Sequence, residues 1–375
     1  FSRRALPIFT GLMKPRISPQ PPRRFYLTVE AFQMTDHTPL DTDAVALWMA
    51  DHIKGFQGPV SAIRFTLGQS NPTYALTAQS GRYVLRRKPP GILLKSAHAV
   101  EREFRVQNAL SGSAVPVARM YKLCEDPSII GSPFYVMDMI DGVTYNEPHL
   151  PDLAREKRRA IILEMNRVLG AIHNVDLSAT GLTDFGPEGN YYRRQTDRWT
   201  KQYRASETET LPDMDALAAW LDQNMPAEDG QRSLVHGDYR LDNMLFAKDA
   251  PNCLAVLDWE LSTLGHPYAD LAGVLMQWSM PVGSQGRGLA GLARSAEGLM
   301  EDQEFIDLYC AQRGLAQIDR FEFYLAFCYF RMAAILQGVK KRALEGNASN
   351  PEKAMQLAEH VPALASAGLQ AAQGR

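Results

Sequence analysis

Polar residues crowd into two short stretches, LVHGDYRLDNMLF at 234–246 and LAVLDWELSTLGHP at 254–267, which hold His236, Asp238, Asp242, Asn243, Asp258 and Glu260. Apolar runs flank both, so each reads as a short strand leading into a polar loop. Clustered carboxylates repel one another and need a reason to sit together. A Mg²⁺ ion supplies one, because it is bound through one or two protein carboxylate or amide oxygens and otherwise by water and phosphate oxygens. Phosphoryl transfer asks for the same set: a carboxylate to orient and deprotonate an acceptor hydroxyl, an amide and a carboxylate for metal, and positive charge on the phosphates. Asp238 is the candidate catalytic base. Asn243 is a metal ligand from the far side of the loop, and Asp258 bridges metal and phosphates from the next strand, with Glu260 beside it. No second histidine stands at ligand spacing and no serine lies in a nucleophile elbow, so His236 reads as a brace for the loop.

The elements that must hold these residues fall into two groups. Asp41 or Asp43 can cap a helix through Ala44–Ile53 that stops near Gly55. Ala62–Leu67, Tyr74–Thr77 and Tyr83–Arg87 read as an antiparallel meander. Residues 97–110 place Val100, Phe104, Gln107 and Leu110 at helical spacing for packing on that sheet, and Phe134–Met137 is a further strand. Residues 138–142 then connect a small sheet-rich lobe to a larger one, and from about 150 onward the patterns are mainly helical. The expected division is a basic leader or tail at 1–38, an amino-terminal lobe at 39–140 and a helical lobe at 141–375.

His-Gly-Asp-x-x-x-x-Asn at 236–243 followed by Leu-Asp-Trp-Glu at 257–260 resembles the aminoglycoside phosphotransferase family, with Gly265-x-Pro267-x-x-Asp270-Leu271-Ala272 as a third matching segment. The resemblance covers roughly residues 40–345 and implies an α+β, protein-kinase-like two-lobed fold. It also implies ATP and Mg²⁺ as cofactors, Asp238 as base, Asn243 and Asp258 at the metal, and Asp270 as a brace of the catalytic loop. In such a fold the turn holding Ser70 and Asn71 covers the nucleotide, Arg86 contacts the inner phosphates and pairs with the helix residue Glu103, and Met137 and Met139 lie in the nucleotide-binding connection. Arg86 stands where lysine is common in the family, with Arg87 and Lys88 as neighbouring substitutes; arginine keeps the charge but is bulkier and forked.

YYRRQTDRWTKQYR at 191–204 carries Arg194, Arg198 and Lys201 at i, i+4 and i+7, with Trp199 beside them. This stripe suits an anionic acceptor, since a cavity for a polycationic aminoglycoside calls for acids instead. The stretch also resembles the subfamily whose kinase-like domain is fused in some members to an acyl-CoA dehydrogenase, which implies a hydroxyacyl-CoA or related metabolite as acceptor. Two other readings stay open: a catalytically silent nucleotide- or metabolite-binding module, suggested by Arg86, and a protein kinase, opposed by the short stretch between Asp258 and Gly265.

The 375 residues are 45% hydrophobic and 22% charged with a net charge of −2. This is an ordinary globular composition that gives no field for nucleic acid. The charge is uneven: residues 1–29 hold Arg3, Arg4, Lys14, Arg16, Arg23 and Arg24 and no acid, a pattern expected of either a mitochondrial targeting segment or a basic tail. The most apolar run, Phe323 to Val339, is broken by Arg331 and reads as a core helix, not a membrane span. Four scattered cysteines with no C-x-x-C pair exclude a thiolate metal site and a redox dithiol.

Overall fold

The computed structural model of the protein describes residues 40–65, 71–89, 98–283, 287–348 and 350–374. The basic leader, Ser70 and the turn around Gly68 lie outside the described residues. Helix α1 (Thr42–His52) opens the described chain, its Ala44 N–H donating to Asp41 Oδ1 in an N-cap. Strands β1 (Ser61–Arg64), β2 (Thr73–Ala78) and β3 (Gly81–Arg87) form the expected meander, and helix α2 (Val100–Ala109) follows. Strands β4 (Met120–Cys124) and β5 (Phe134–Asp138) complete a five-stranded antiparallel sheet in the order β1-β2-β3-β5-β4. Strand β4 was not expected: MYKLC is short and carries a lysine, and it sits at the sheet edge where such strands are tolerated.

Strand alternation sorts the two faces of this sheet. Tyr83, Leu85, Phe134 and Val136 pack with Val45, Trp48 and Met49 of α1. Arg86, between Leu85 and Arg87 on β3, therefore emerges on the opposite face, toward α2. That helix serves two neighbours. Val100 and Phe104 pack with Met120, Tyr135 and Met137 of the sheet, whereas Val106 and Leu110 belong to the large core of the carboxy-terminal lobe. Arg102 adds a polar strap, its Nη2 donating to Phe185 O (2.9 Å) and Ser262 O (3.3 Å). Its guanidinium lies 4.2 Å from the centre of the Phe185 ring, a cation–π contact. The helix expected to pack on the sheet is thus also anchored in the other lobe.

The larger lobe contains helices α3 (Arg155–His173), α4 (Tyr191–Ser206) and α5 (Pro212–Gln223) before the motif region. Two small antiparallel ribbons carry the motifs: β6 (Ser233–Val235) pairs with β9 (Thr263–Gly265), and β7 (Met244–Phe246) pairs with β8 (Cys253–Val256). Helices α6 (Tyr268–Trp278), α7 (Arg294–Glu297), α8 (Asp302–Arg313), α9 (Phe321–Leu344), α10 (Pro351–Ala358) and α11 (Val361–Ala372) complete it. Helix α9 buries Phe323, Phe327 and Phe330 in the lobe's core, as expected of a core helix. Among the described residues no helix is long and apolar enough to cross a membrane. The four cysteines are free and buried, and burial pushes the Cys253 and Cys328 thiols up to about 12. Both are thereby left unreactive.

Candidate active site

Ribbon β6–β9 delivers the catalytic loop. Gly237 takes a φ of 84°, and a Cβ there would lie 2.7 Å from Leu261 O. The turn after β6 therefore accepts glycine alone. Asp270, on the first turn of α6, receives the His236 N–H (2.6 Å) on Oδ2 and the Gly237 N–H (2.8 Å) on Oδ1. His173 stands 3.3 Å from the same carboxylate. Burial alone would push the Asp270 carboxyl up, but the His173 and His236 contacts outweigh it and hold the group below its ordinary range. Asp270 is therefore the expected brace.

A carboxyl depressed in the folded state stabilises that state above its unfolded pKa of about 4 and loses the contribution as pH falls toward the folded value. Asp270→Asn is expected to cost about 3–5 kcal/mol at pH 7, because two backbone donors and His173 lose a buried charge. The gap from wild type should be complete above pH 5 and narrow below pH 4, as read by urea unfolding across pH.

His236, fully buried, links the two motifs. Its Nδ1 accepts from the Asp238 N–H (3.3 Å) and its Nε2 donates to Leu257 O (2.9 Å), an arrangement that fixes the tautomer. Asn243 Nδ2 donates to Asp238 O (2.9 Å) and Asp238 Oδ2 (3.2 Å), while Asn243 O accepts from Leu257 N (2.8 Å). The amide is thereby oriented with Oδ1 away from Asp238, beside the strand end that carries Asp258. Asp258 itself adopts the left-handed backbone conformation, with φ 63° and ψ 57°. Aspartate tolerates that region better than most residues.

Arg86 meets this region from the sheet. Its Nε lies 2.7 Å from Glu103 Oε2, and its Nη2 lies 3.1 Å from Asp258 Oδ1 and 3.9 Å from Glu260 Oε2. Burial works against the Arg86 charge, but Glu103, Tyr135, Asp258 and Glu260 overcome it, so the guanidinium's pKa is raised and it stays charged. The neighbouring candidates go elsewhere, Arg87 to Ser132 Oγ (2.9 Å) and Lys88 to Glu101 (2.9 Å). Arg86→Gln is expected to cost about 3–5 kcal/mol by stranding buried Glu103, and Arg86→Lys to recover most of it; thermal unfolding of both variants checks this.

Most of the remaining expected site residues have partners of their own in both lobes. The Asn71 side chain is engaged within its own lobe: Nδ2 donates to Glu103 Oε1 (2.7 Å) and Oδ1 accepts from His98 Nδ1 (3.0 Å). Together with the Tyr135 hydroxyl, which donates to Glu103 Oε2 (3.1 Å), it fixes the carboxylate that holds Arg86. Met137 on β5 pairs with Val84 on β3, and the Met139 N–H faces Arg82 O at 3.5 Å where the chain leaves the sheet. The basic stripe of α4 forms, but Arg194 donates to the carbonyls of Pro187, Glu188 and Gly189, so its guanidinium closes a neighbouring loop. Arg198 lies against the Trp199 ring, the Trp199 indole donates to Gln195, and Lys201 is exposed; no contact ties these to the catalytic loop among the described residues. The cations that do touch that loop were not singled out as site residues: Arg240 beside Asp238, Arg287 on Asp242, and Arg331, whose Nη2 donates to Gly237 O (2.8 Å). Arg331 was visible as the one charge breaking an apolar run.

The donor set suits Mg²⁺. One oriented amide oxygen and one half-exposed carboxylate are the hard protein oxygens such an ion uses when phosphates and water complete its shell. Among the described residues no group of three or more His, Cys, Asp or Glu side chains forms a closed metal cage.

The phosphotransferase enzyme family profile, APH, matches residues 61–319. Mouse acyl-CoA dehydrogenase family member 10 is 48% identical over 294 residues, which is 78% of this chain and 27% of that protein. The chain spans less than half the length of the curated relatives it matches. A Ralstonia eutropha structure assigned provisionally as an aminoglycoside phosphotransferase superposes with a TM-score of 0.84 at 46% identity, over 90% of this chain and 99% of that one. An aminoglycoside phosphotransferase crystallised with AMP-PNP and hygromycin B shares the fold alone, with a TM-score of 0.58 at 16% identity over 88% and 99% of the two chains. The two lobes, the motif ribbons and these likenesses agree: the chain belongs to the phosphotransferase enzyme family and has the aminoglycoside-phosphotransferase, kinase-like fold.

Proposed function

We propose that the protein transfers the γ-phosphoryl group of ATP to a hydroxyl of a small anionic metabolite, with a hydroxyacyl thioester such as a hydroxyacyl-CoA as the favoured member of that class. The observation that carries this reading is the convergence of Asp238, Asn243, Asp258 and Arg86 from two motif ribbons and the sheet. The acceptor hydroxyl gives its proton to Asp238 as its oxygen bonds to the γ-phosphorus, and the bond to the β-phosphate oxygen breaks, with ADP leaving on that electron pair. Asn243 and Asp258 would hold Mg²⁺, which when bound neutralises charge on the phosphate oxygens. Arg86, kept charged by Glu103, faces the inner phosphates. Because the transition state is loose, positioning and fixed charge supply most of the rate.

Two features support an anionic acceptor. Arg240, Arg287 and Arg331 ring the catalytic loop, a lining suited to an anion and not to a polycation. The curated relatives are named as acyl-CoA dehydrogenase family members, which brings acyl thioesters into view. One observation favours the silent module as a second reading: Arg86 Nη2 occupies Asp258 Oδ1 at 3.1 Å, where a cation-binding oxygen is needed.

Magnesium-dependent ATP turnover on a panel of hydroxyacyl-CoAs, hydroxy acids, sugars, choline and an aminoglycoside separates the two. Phosphorylation of the hydroxyacyl-CoA or hydroxy acid members supports the proposal, and phosphorylation of the aminoglycoside alone overturns the acceptor class. Tight nucleotide binding without turnover on any acceptor favours the silent module. The mitochondrial placement expected from the leader is proposed separately, and import of the tagged full chain into isolated mitochondria tests it.

A further inference from the structure

We infer that Arg240 is a catalytic residue that leaves Asp238 to grip the transferring phosphoryl group. The inference rests on the phosphoryl-transfer reading and adds to it a residue outside the Asp238, Asn243 and Asp258 set. Arg240 lies two residues beyond the base in extended backbone, with φ −146° and ψ 159°. Between them Tyr239 turns into the core, where its hydroxyl donates to Met165 O (2.7 Å). With Tyr239 directed into the core, the side chains of Asp238 and Arg240 meet each other on the accessible side of the loop. Their side chains are 37% and 27% exposed, and Arg240 Nε stands 3.1 Å from Asp238 Oδ1.

A guanidinium fixed on this oxygen works against catalysis, since it occupies an oxygen that would take the acceptor's proton. The acceptor hydroxyl must also reach that carboxylate. Arg240 has a second anchor that makes departure feasible: Nη2 is 3.5 Å from Asp242 Oδ2, and Asp242, 13% exposed, is held in turn by Arg287. The arginine can therefore exchange one partner and keep the other. The incoming γ-phosphoryl group passes close to Asp238 and gathers negative charge on three oxygens, which a planar guanidinium fork matches in charge and geometry. The other three nearby arginines are committed elsewhere, Arg86 to Glu103 and Asp258, Arg287 to Asp242, and Arg331 to Gly237 O. Release of Arg240 thus frees the base at the moment that it neutralises the group being transferred.

The test compares ligands that differ by the γ-phosphoryl group. Dissociation constants for ADP and for AMP-PNP, each with Mg²⁺, are measured by calorimetry on wild type, Arg240→Met and Arg240→Lys, with thermal unfolding as a fold check. The Met variant is expected to bind ADP within about twofold of wild type and AMP-PNP about tenfold or more weakly, with the Lys variant between. On an acceptor from the panel, kcat of the Met variant should fall about 100-fold with acceptor KM unchanged. Equal weakening of both nucleotides, or unchanged affinity for both together with retained turnover, overturns the role and leaves Arg240 as a brace of the loop. Wild type that binds neither nucleotide overturns the phosphoryl-transfer reading itself, and the Arg240 inference with it.

Discussion

Asp238→Asn is expected to lower kcat by about 10³-fold while ADP and AMP-PNP affinities stay within a few-fold of wild type. Removal of a positioned general base costs on the order of 10²–10⁴ in rate. The substitution keeps the shape of the side chain but removes both the proton-accepting oxygen and its charge. It also has a specific local consequence. Asp238 accepts from Asn243 Nδ2 on one oxygen and faces Arg240 on the other, so the new amide must turn its own NH₂ toward a donor whichever way it flips. A small drop in thermal stability should accompany the loss of turnover. Steady-state kinetics with the responsive acceptor and calorimetry with each nucleotide read both effects. Wild-type turnover in this variant would remove Asp238 from the mechanism.

The second large effect belongs to Asp258. Asp258→Asn is expected to weaken binding of Mg²⁺–AMP-PNP by about 100-fold and to abolish measurable turnover, with nucleotide affinity in EDTA little changed. Asparagine is the informative replacement because residue 258 occupies the left-handed region. Asp and Asn are accepted there, and Ala brings a separate backbone cost of about 1 kcal/mol. The variant also releases Arg86 Nη2 from its contact with Asp258, yet Glu103 still holds Arg86 Nε, so the sheet-to-helix pair should survive. A magnesium titration that gives the same nucleotide affinity in wild type and variant would place the metal elsewhere.

How far the site was legible depended on the range of the contacts involved. His236, Asp238, Asn243 and Asp258 lie within 23 positions of chain, on short ribbons whose turns and strands are set locally, so residue type and spacing were enough to find them. Asp270, a little further on, was expected as a brace from the resemblance of its Gly265-x-Pro267-x-x-Asp270-Leu271-Ala272 segment. The side-chain partners of Asn71 and Arg194 were not legible, because both are polar residues whose partners come from other segments: Glu103 for the first, the loop carbonyls of 187–189 for the second. Arg240 was present in the motif itself but carried no meaning until its guanidinium was seen against Asp238. Strand β4 escaped because five residues with a central lysine carry too weak an alternation, and only pairing with β5 makes them a strand.

The sequence alone pointed to the phosphotransferase family and the two-lobed plan, because the motif residues, the alternation of Tyr83–Arg87 and the apolar period of α9 are local properties of the chain. The tertiary structure decided which cations face the motif carboxylates. Arg86 was separated from Arg87 by the face of β3 that α1 covers and from Lys88 by the latter's pairing with Glu101, and the motif loop acquired Arg240, Arg287 and Arg331 while the α4 stripe was turned to its own neighbours. A long flexible cation reaches several partners from one backbone position, and burial with a specific opposite charge selects among them. That selection is a property of packing between segments far apart in the chain, as Arg86 and Asp258 are, and spacing along the chain does not contain it.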